Sequence, residues 1–173
     1  MHGFTALSDA ETAALVAAAG SLPNGSRILE IGTFHGVTAR RLADAAPRCR
    51  VVCVDTFYRC HKVTPAEWHA NRRENMNLWI GTAAELADVA YGRSFSLAFV
   101  DAMPPREACL ADLATADRML NLAGRLFAHD YDAAKWPGVV QAVDEFCTLN
   151  GLAVVNRWES LVEIALPLRA AKA

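Results

Sequence analysis

The sequence predicts an α/β fold, a single doubly wound Rossmann-like domain with a mostly parallel sheet. Apolar runs of strand length alternate with helical segments along the 173 residues, an order that builds a parallel sheet covered on both faces. The last two runs are separated only by Glu159 and Ser160, so we expect a closing hairpin with one antiparallel strand. No linker or repeat divides the chain, which predicts one domain over residues 1–173.

The first half of the chain begins with a helix and continues with three strands. Ser8 and Glu11 form a capping box ahead of an alanine-rich run that stops near Gly20, within an N-terminal helical segment of residues 1–24. The core of residues 25–166 follows, and its first strand ends in a glycine. In chain order, we expect strands at 27–32, 50–57 and 76–81, with helices at 36–46 and directly after Pro65.

The second half contains four more strands. Thr82 and Glu85 form another capping box at a helix start, and Gly151 ends the last helix. We expect Gly124 to turn the chain into the fifth strand. The expected elements are a strand at 96–102, a helix from Pro104 with Cys109, Leu113, Ala116 and Leu120 on one face, a strand from 125, a helix at 137–149, and strands at 152–158 and 161–166.

Composition and charge exclude several classes of protein. Hydrophobic residues make up 53% and charged residues 21%, which is typical of a globular domain rather than a disordered chain. The formal net charge of −2 gives no broad basic surface, so we expect no nucleic-acid partner. No basic region precedes the short apolar run near the N-terminus, and the five cysteines contain no C-x-x-C pair. These features predict a cytoplasmic protein without a membrane partner.

The turn after the first strand carries the pattern Glu30-x-Gly32-x-x-x-Gly36. Ligands of open α/β sheets bind at the carboxyl ends of the strands, so this turn is a candidate site. A dinucleotide fingerprint has a glycine where Glu30 stands, to admit a pyrophosphate. A carboxylate there favours a ligand with a cationic end. The alternative is an ordinary glycine turn with Glu30 facing the surface.

Polar residues also follow the other strands. Asp55 is placed to accept both hydroxyls of a ribose, or else it caps a turn. Phe57 can pack against an adenine or cover the core. Asp101 follows the fourth strand, and His129 and Asp130 follow the fifth.

These strand ends, in the segments ILEIGTFHGVTARRLA, VVCVDTF, FVDAMPP and LFAHDYDAAKWPGVVQAVDEF, resemble the class I S-adenosylmethionine-dependent methyltransferases. More narrowly, they resemble the small-molecule branch that includes bacterial sugar O-methyltransferases. The resemblance covers about residues 25–166 and implies a seven-stranded sheet in the order 3-2-1-4-5-7-6, with strand seven antiparallel. It implies methyl transfer to a small-molecule acceptor, most often at oxygen.

The resemblance also implies roles for particular residues. Asp101 would lie near the sulfonium and the acceptor, as a cofactor-binding and catalytic residue. The other cofactor-binding positions would be Glu30, Gly32, Thr33, Phe34 and Gly36 at the methionine part, Asp55, Thr56 and Phe57 at the ribose, and Thr82 and Ala83 at the adenine.

Three hypotheses concern His129. Asp101 and Asp130 match positions that hold Mg²⁺ in metal-dependent relatives, so His129 would be a third ligand of Mg²⁺ or another divalent cation. Imidazole, however, suits zinc, iron or nickel better than magnesium. Alternatively, His129 is the general base, since its ordinary pKa lies near neutrality. In the third hypothesis His129 and Asp130 cap the fifth strand and pair with each other.

Two rival functions and two partner hypotheses stay open. The rivals are an NAD(P)-dependent oxidoreductase on a similar sheet and a non-catalytic S-adenosylmethionine-binding protein. The basic and aromatic segment 58–75, which includes Arg59, His61, Lys62 and Trp68, forms either a lid over the acceptor or a solvated helix face. Many relatives build a lid from a long N-terminal extension that this chain lacks, so we expect a homodimer partner to complete the pocket.

Overall fold

The computed structural model describes residues 7–58, 64–89, 92–102 and 105–166, in which helices and strands alternate as expected. The positions predicted at Arg59, His61, Lys62 and Pro104 lie outside the described residues. In chain order the elements are α1 (Asp9–Gly20), β1 (Arg27–Ile31), α2 (Val37–Ala45), β2 (Arg50–Asp55), α3 (Pro65–Asn71), β3 (Met76–Ile80), α4 (Ala83–Val89), β4 (Phe95–Val100), α5 (Arg106–Met119), β5 (Leu120–Ala128), α6 (Pro137–Asn150), β6 (Ala153–Trp158) and β7 (Leu161–Ala165).

The sheet has the predicted order β3-β2-β1-β4-β5-β7-β6, with β7 antiparallel to both of its neighbours. Strand order reverses between β1 and β4, which is where open α/β sheets bind ligands. The register aligns Ile31 with Val54 on one side and with Val100 on the other, and Val100 with Ala128. Four strands therefore end level, and the loops that follow them meet at one edge.

Alternate residues of the central strands pack on opposite faces of the sheet, as a doubly wound fold requires. On one face, Val52 and Val54 of β2 belong to a core shared with α4, α5 and α6. On the other face, Val51 and Cys53 pack in a second core with α1, α2 and the fully buried Trp68 of α3. Both faces of β2 are thus covered, which explains its near-continuous apolar sequence.

The fifth strand begins earlier than predicted. Leu120 pairs with Phe95 and already belongs to β5, so it does not extend the apolar face of α5. The next pair joins Arg125 to Leu97, so between the two pairs four residues of β5 lie beside one residue of β4. Gly124 lies inside this irregular stretch. A Cβ there would come within 2.7 Å of the Leu120 side chain, which explains why the residue is a glycine. The glycine permits a bulge within the strand rather than a turn before it.

Local signals at the helix ends are confirmed. Ser8 and Glu11 form a reciprocal capping box, and Thr82 and Glu85 exchange the same pair of backbone-to-side-chain bonds. Gly151 takes the left-handed conformation that ends α6, with φ of 63°. Among the described residues, no helix is both long and apolar enough to cross a membrane.

Candidate active site

The glycine turn after β1 is pressed against the end of β4. Gly32 has φ of +91°, and a Cβ on it would lie 2.1 Å from the backbone oxygen of Asp101. The backbone N–H of Asp101 donates to Ile31 across the same gap, at 2.8 Å. Only a residue without a side chain allows this approach. Gly32 therefore sets where Asp101 leaves its strand.

Glu30 is buried beneath this turn and does not face the surface. Its side chain is 1% exposed, and its Oε2 has no hydrogen-bond partner among the described residues. Burial raises the pKa of Glu30 to about 8, and hydrogen bonds from the Thr33 side chain and the Ala39 backbone oppose that rise. At neutral pH the free protein therefore holds a protonated carboxyl here, and a cationic ligand would favour its ionised form.

Replacing Glu30 with glutamine should stabilise the free protein as the pH rises. The pKa of Glu30 is raised in the folded state, so its contribution to stability is present below about pH 4.5 and is lost as the pH rises through about 8. Relative to wild type, we expect Glu30→Gln to gain about 2–4 kcal/mol in free energy of unfolding between pH 5 and pH 8. Urea unfolding at the two pH values measures this gain. An equal difference at both pH values would contradict the assignment.

Asp55 joins the loops after β1 and β2. Its two oxygens accept from the backbone N–H groups of Phe34 and Phe57, each at 2.8 Å. Both phenylalanines have positive φ, +48° and +53°, which is costly for such side chains and concentrates at ligand sites. Asp55 therefore caps these turns, and each oxygen keeps lone pairs for a ribose hydroxyl. Phe57 packs against the second core and is half-buried.

The loop after β3 lies beside Asp55. The backbone N–H of Gly81 donates to the Asp55 carbonyl at 3.0 Å, and α4 begins at Ala83 directly afterwards. The Thr82 hydroxyl bonds to Glu85, so its side chain serves the helix cap. Thr56 similarly accepts from the Tyr58 N–H at 3.3 Å. These predicted cofactor residues lie along one edge and offer mainly backbone groups to a ligand.

His129 lies at the centre of a cluster of carboxylates on the other side of Asp101. Its Nδ1 is 3.2 Å from Oδ1 of Asp101 and 3.4 Å from Oδ1 of Asp130. Its Nε2 is 3.3 Å from Glu11 and 3.2 Å from the hydroxyl of Ser160. The His129 side chain is fully buried, whereas Asp101 is 27% exposed. Asp101 is thus the most exposed carboxylate of the cluster, and Asp130 follows at 15%.

Burial would lower the pKa of His129, but its carboxylate partners outweigh that effect. The hydrogen bond to Asp101 and the nearby negative charges raise this pKa to about 9, so the ring carries a proton on both nitrogens near neutrality. A ring in that state donates to its neighbours and has no lone pair for a substrate proton. The raised pKa thus favours His129 as a protonated donor that stabilises the carboxylates around it, while its part as a base stays a prediction.

Glu11 and Ser160 were not among the predicted site residues. The Glu11 carboxylate is 2% exposed and accepts from both the N–H and the hydroxyl of Ser160, at 2.9 and 2.7 Å. In the sequence, Glu11 is already explained by the capping box of α1, so nothing there indicates a contact with His129 or Ser160. Its contacts with Ser160, 149 positions away, fix α1 to the hairpin and to His129.

A cavity of about 340 Å³ opens next to Asp130, on the hairpin side of the cluster. The lining is mostly polar, and its charged groups come from α1, from the loop after β5 and from the β6–β7 hairpin. The guanidinium of Arg157 bonds there to the carbonyls of Glu159 and Tyr131 and lies over the Tyr131 ring. The principal lining residues are Glu11, Asp130, Lys135, Trp136, Arg157 and Ser160.

Part of the basic segment 58–75 packs on the glycine turn. Trp68 is fully buried, and the Asn71 side chain donates to the His35 carbonyl at 2.9 Å. Arg73 instead forms an exposed ion pair with Asp44. The described part of the segment is therefore a helix with one anchored face and one solvated face.

Comparisons with known proteins agree with this architecture. The sequence profile of a family described as "Methyltransferase domain" matches residues 29–131. No curated protein matches the sequence significantly.

Several solved structures share the fold. The O-methyltransferase NovP has a TM-score of 0.72 at 14% identity, covering 93% of this chain and 81% of its own. An O-methyltransferase from Bacillus cereus in complex with SAH has a TM-score of 0.69 at 16% identity, covering 95% of this chain and 84% of its own. CalS11, a TDP-rhamnose 3′-O-methyltransferase of calicheamicin biosynthesis, has a TM-score of 0.64 at 18% identity, covering 90% of this chain and 77% of its own. At these identities the likeness shows the fold.

Proposed function

The chain belongs to the methyltransferase-domain family, and we propose that it transfers the methyl group of S-adenosylmethionine to an oxygen of a small polar molecule. The observation that carries this proposal is the buried Glu30, whose unpaired Oε2 lies at the strand-order switch point. S-adenosylmethionine carries an ammonium and a sulfonium, and a carboxylate in a low-dielectric site stabilises such charges. The pyrophosphate of NAD would instead oppose ionisation of this carboxyl and gain nothing from it.

Asp101 is the proposed catalytic residue. Methyl transfer is an in-line displacement, so holding the acceptor oxygen opposite the sulfur supplies much of the acceleration. The oxygen attacks the methyl carbon, the carbon–sulfur bond breaks with its electron pair on sulfur, and the hydroxyl proton passes to Asp101. His129 bonds to Oδ1 of Asp101, which leaves Oδ2 for the acceptor. His129 then acts as a positioning residue.

The cavity beside Asp130 is the proposed acceptor site. Its volume of about 340 Å³ is in the range of small-molecule pockets, and its mixed charges suit a polar, hydroxylated acceptor. It lies on the β5–β7 side of Asp101, whereas Glu30 and Asp55 lie on the β1–β2 side. Cofactor and acceptor would thus approach Asp101 from opposite sides, as in-line transfer requires. We also propose that the protein is cytoplasmic and that the partner of a homodimer closes this cavity.

A thermal-shift comparison tests the proposed cofactor. S-adenosylmethionine and S-adenosylhomocysteine, each at about a hundred times its dissociation constant, should stabilise the folded protein by about 3 kcal/mol, and NAD should not. Stabilisation by NAD alone would favour an oxidoreductase. Binding of S-adenosylmethionine without methyl transfer to any hydroxylated acceptor would favour a non-catalytic binding protein.

The cluster around His129 has donors that fit a divalent cation. Asp101, His129 and Asp130 each offer an atom, all within 4.8 Å of one another. Contacts of Nε2 with Glu11 and Ser160 hold the ring so that Nδ1 faces both carboxylates, which is how proteins orient a metal-binding histidine. We propose that these three residues bind Mg²⁺ or another divalent cation, which would lower the pKa of the acceptor hydroxyl. The bound ring would be neutral, so the ion would displace its proton.

Chelation tests the cation. We expect exhaustive chelation to lower the rate of S-adenosylhomocysteine release at least about tenfold, with recovery on adding Mg²⁺ or Mn²⁺, because a metal-lowered hydroxyl pKa is worth several kcal/mol. Asp130→Asn should lose this response, whereas the surface variant Asp88→Asn should keep it. Activity that survives chelation and ignores added Mg²⁺ would rule out the cation and leave the protonated His129 as the group that balances these carboxylates.

A further inference from the structure

We propose that Trp68 is a positioning residue for the cofactor, acting through Thr33 on Glu30. This inference rests on the proposed function, since it concerns the same cofactor site. It assigns a role to α3, which follows the loop after β2 and contributes no residue to the predicted site.

The indole of Trp68 reaches the glycine turn through the second core. The side chain is fully buried, and its Nε1 donates to the Thr33 hydroxyl at 3.1 Å, across 35 positions of sequence. The ring also lies against Gly36, where a Cβ would come within 2.8 Å of the indole. Thr33 is itself 4% exposed, so water does not compete for this bond.

The direction of these bonds determines what Thr33 can do. A hydroxyl has one proton to donate, and Trp68 can only donate, so Thr33 accepts from the indole and keeps its own proton for another acceptor. The Thr33 hydroxyl lowers the pKa of both the Glu30 carboxyl and the Cys53 thiol, so both groups lie beside it, and an ionised carboxylate is the stronger acceptor of the two. The Trp68 N–H thus occupies a lone pair of the Thr33 hydroxyl, and the hydroxyl proton points at the Glu30 carboxylate. A hydrogen bond donated to a carboxylate favours its ionised form.

The rest of α3 fixes the indole in this position. A capping box between Thr64 and Glu67 starts the helix, with Pro65 at its first position. At the other end, the Asn71 amide donates to the His35 carbonyl. The capping box thus fixes where the helix starts, and Asn71 ties its other end to the turn that Trp68 contacts. The indole is consequently held in the orientation that points its N–H at the Thr33 hydroxyl.

The consequence is specific to one end of the cofactor. Glu30 is proposed to face the cationic methionine part, whereas Asp55 and the loop after β3 are proposed to face the ribose and adenine. Removing the Trp68 donor should weaken ligands that carry the methionine ammonium and leave other adenosine ligands unchanged. A loss of packing alone would weaken all of them alike, because Trp68 lies against the turn that all of them contact.

Titration calorimetry of the full chain with three ligands tests this inference. The ligands are S-adenosylmethionine, S-adenosylhomocysteine and 5′-methylthioadenosine, which lacks the amino-acid end. We expect Trp68→Phe to weaken the first two about tenfold and the third less than about twofold, the size of one hydrogen bond to a charged group. Trp158→Phe, on the distant edge strand β6, is the matched control and should change none of them.

Thr33 variants separate the hydrogen bond from the packing. Thr33→Val should weaken the same two ligands about tenfold, and adding Trp68→Phe should weaken them no further, because both changes break one chain of bonds. Thr33→Ser keeps the hydroxyl and should bind like wild type. Equal weakening of all three ligands, additive losses, or no loss in Trp68→Phe would overturn the inference. A wild-type chain that binds neither S-adenosylmethionine nor its product would overturn the proposed function as well.

Discussion

Replacing Gly32 with alanine should unfold the active site and lower methyl transfer by at least about a hundredfold, because small displacements of reacting groups cost that much. The new Cβ would lie 2.1 Å from the Asp101 oxygen and 2.6 Å from the Ala102 Cα, which are backbone atoms and cannot move aside as a side chain could. Strain at φ of +91° adds to this clash. We expect the free energy of unfolding to fall by about 2–5 kcal/mol, as overpacking and backbone strain combine. Urea unfolding and initial rates measure the two effects.

Gly25 provides the matched control for this substitution. It has a similar φ of +83°, but a Cβ there meets no atom within 4 Å. Gly25→Ala should therefore show the backbone strain alone, about 1 kcal/mol, with unchanged activity. Equal losses in the two variants would mean that contact between Gly32 and the end of β4 is unimportant.

Asp101→Asn should abolish turnover while leaving the cofactor bound. The amide has the same shape but neither accepts a proton nor carries the charge that faces His129, so we expect kcat to fall about 10²–10⁴-fold. The dissociation constant of S-adenosylhomocysteine should change less than about fivefold, since this product lacks the sulfonium charge. Single-turnover rates and calorimetry on the same preparation give both numbers.

The surface variant Asp88→Asn accompanies this experiment as a control for the loss of one carboxylate. A fall in cofactor affinity that equals the fall in kcat would assign Asp101 to binding alone. Wild-type turnover in Asp101→Asn would remove it from the mechanism, and Asp130 would become the next carboxylate to test.

The sequence predicts the position of the site residues that lie at, or directly after, the carboxyl end of a strand. In a parallel sheet, strand ends share one edge, so Glu30, Asp55, Asp101 and His129 are identified without knowledge of packing. The capping boxes are similarly local, because their partners lie three positions apart. The capping boxes and the placement of these residues at one edge are confirmed, whereas their roles stay predictions.

Contacts between distant segments could not be predicted in this way. Glu11 reaches Ser160 across 149 positions, and no local pattern records that a capping residue also holds His129. Trp68 lies in a charged segment whose buried face is decided by α3 packing on the glycine turn. The early start of β5 depends on how Leu120 pairs with Phe95. The protonation of His129 depends on three carboxylates brought together only by the fold.

The central claim is that the edge from Glu30 to Asp101 binds S-adenosylmethionine with its cationic end on Glu30. A crystal structure of the chain with S-adenosylhomocysteine tests this most directly. We expect the ligand ammonium within about 3.2 Å of a Glu30 oxygen or of one bridging water, and the ribose hydroxyls within the same distance of Asp55. A ligand whose amino-acid end points away from Glu30, or that lies off this edge, would contradict it.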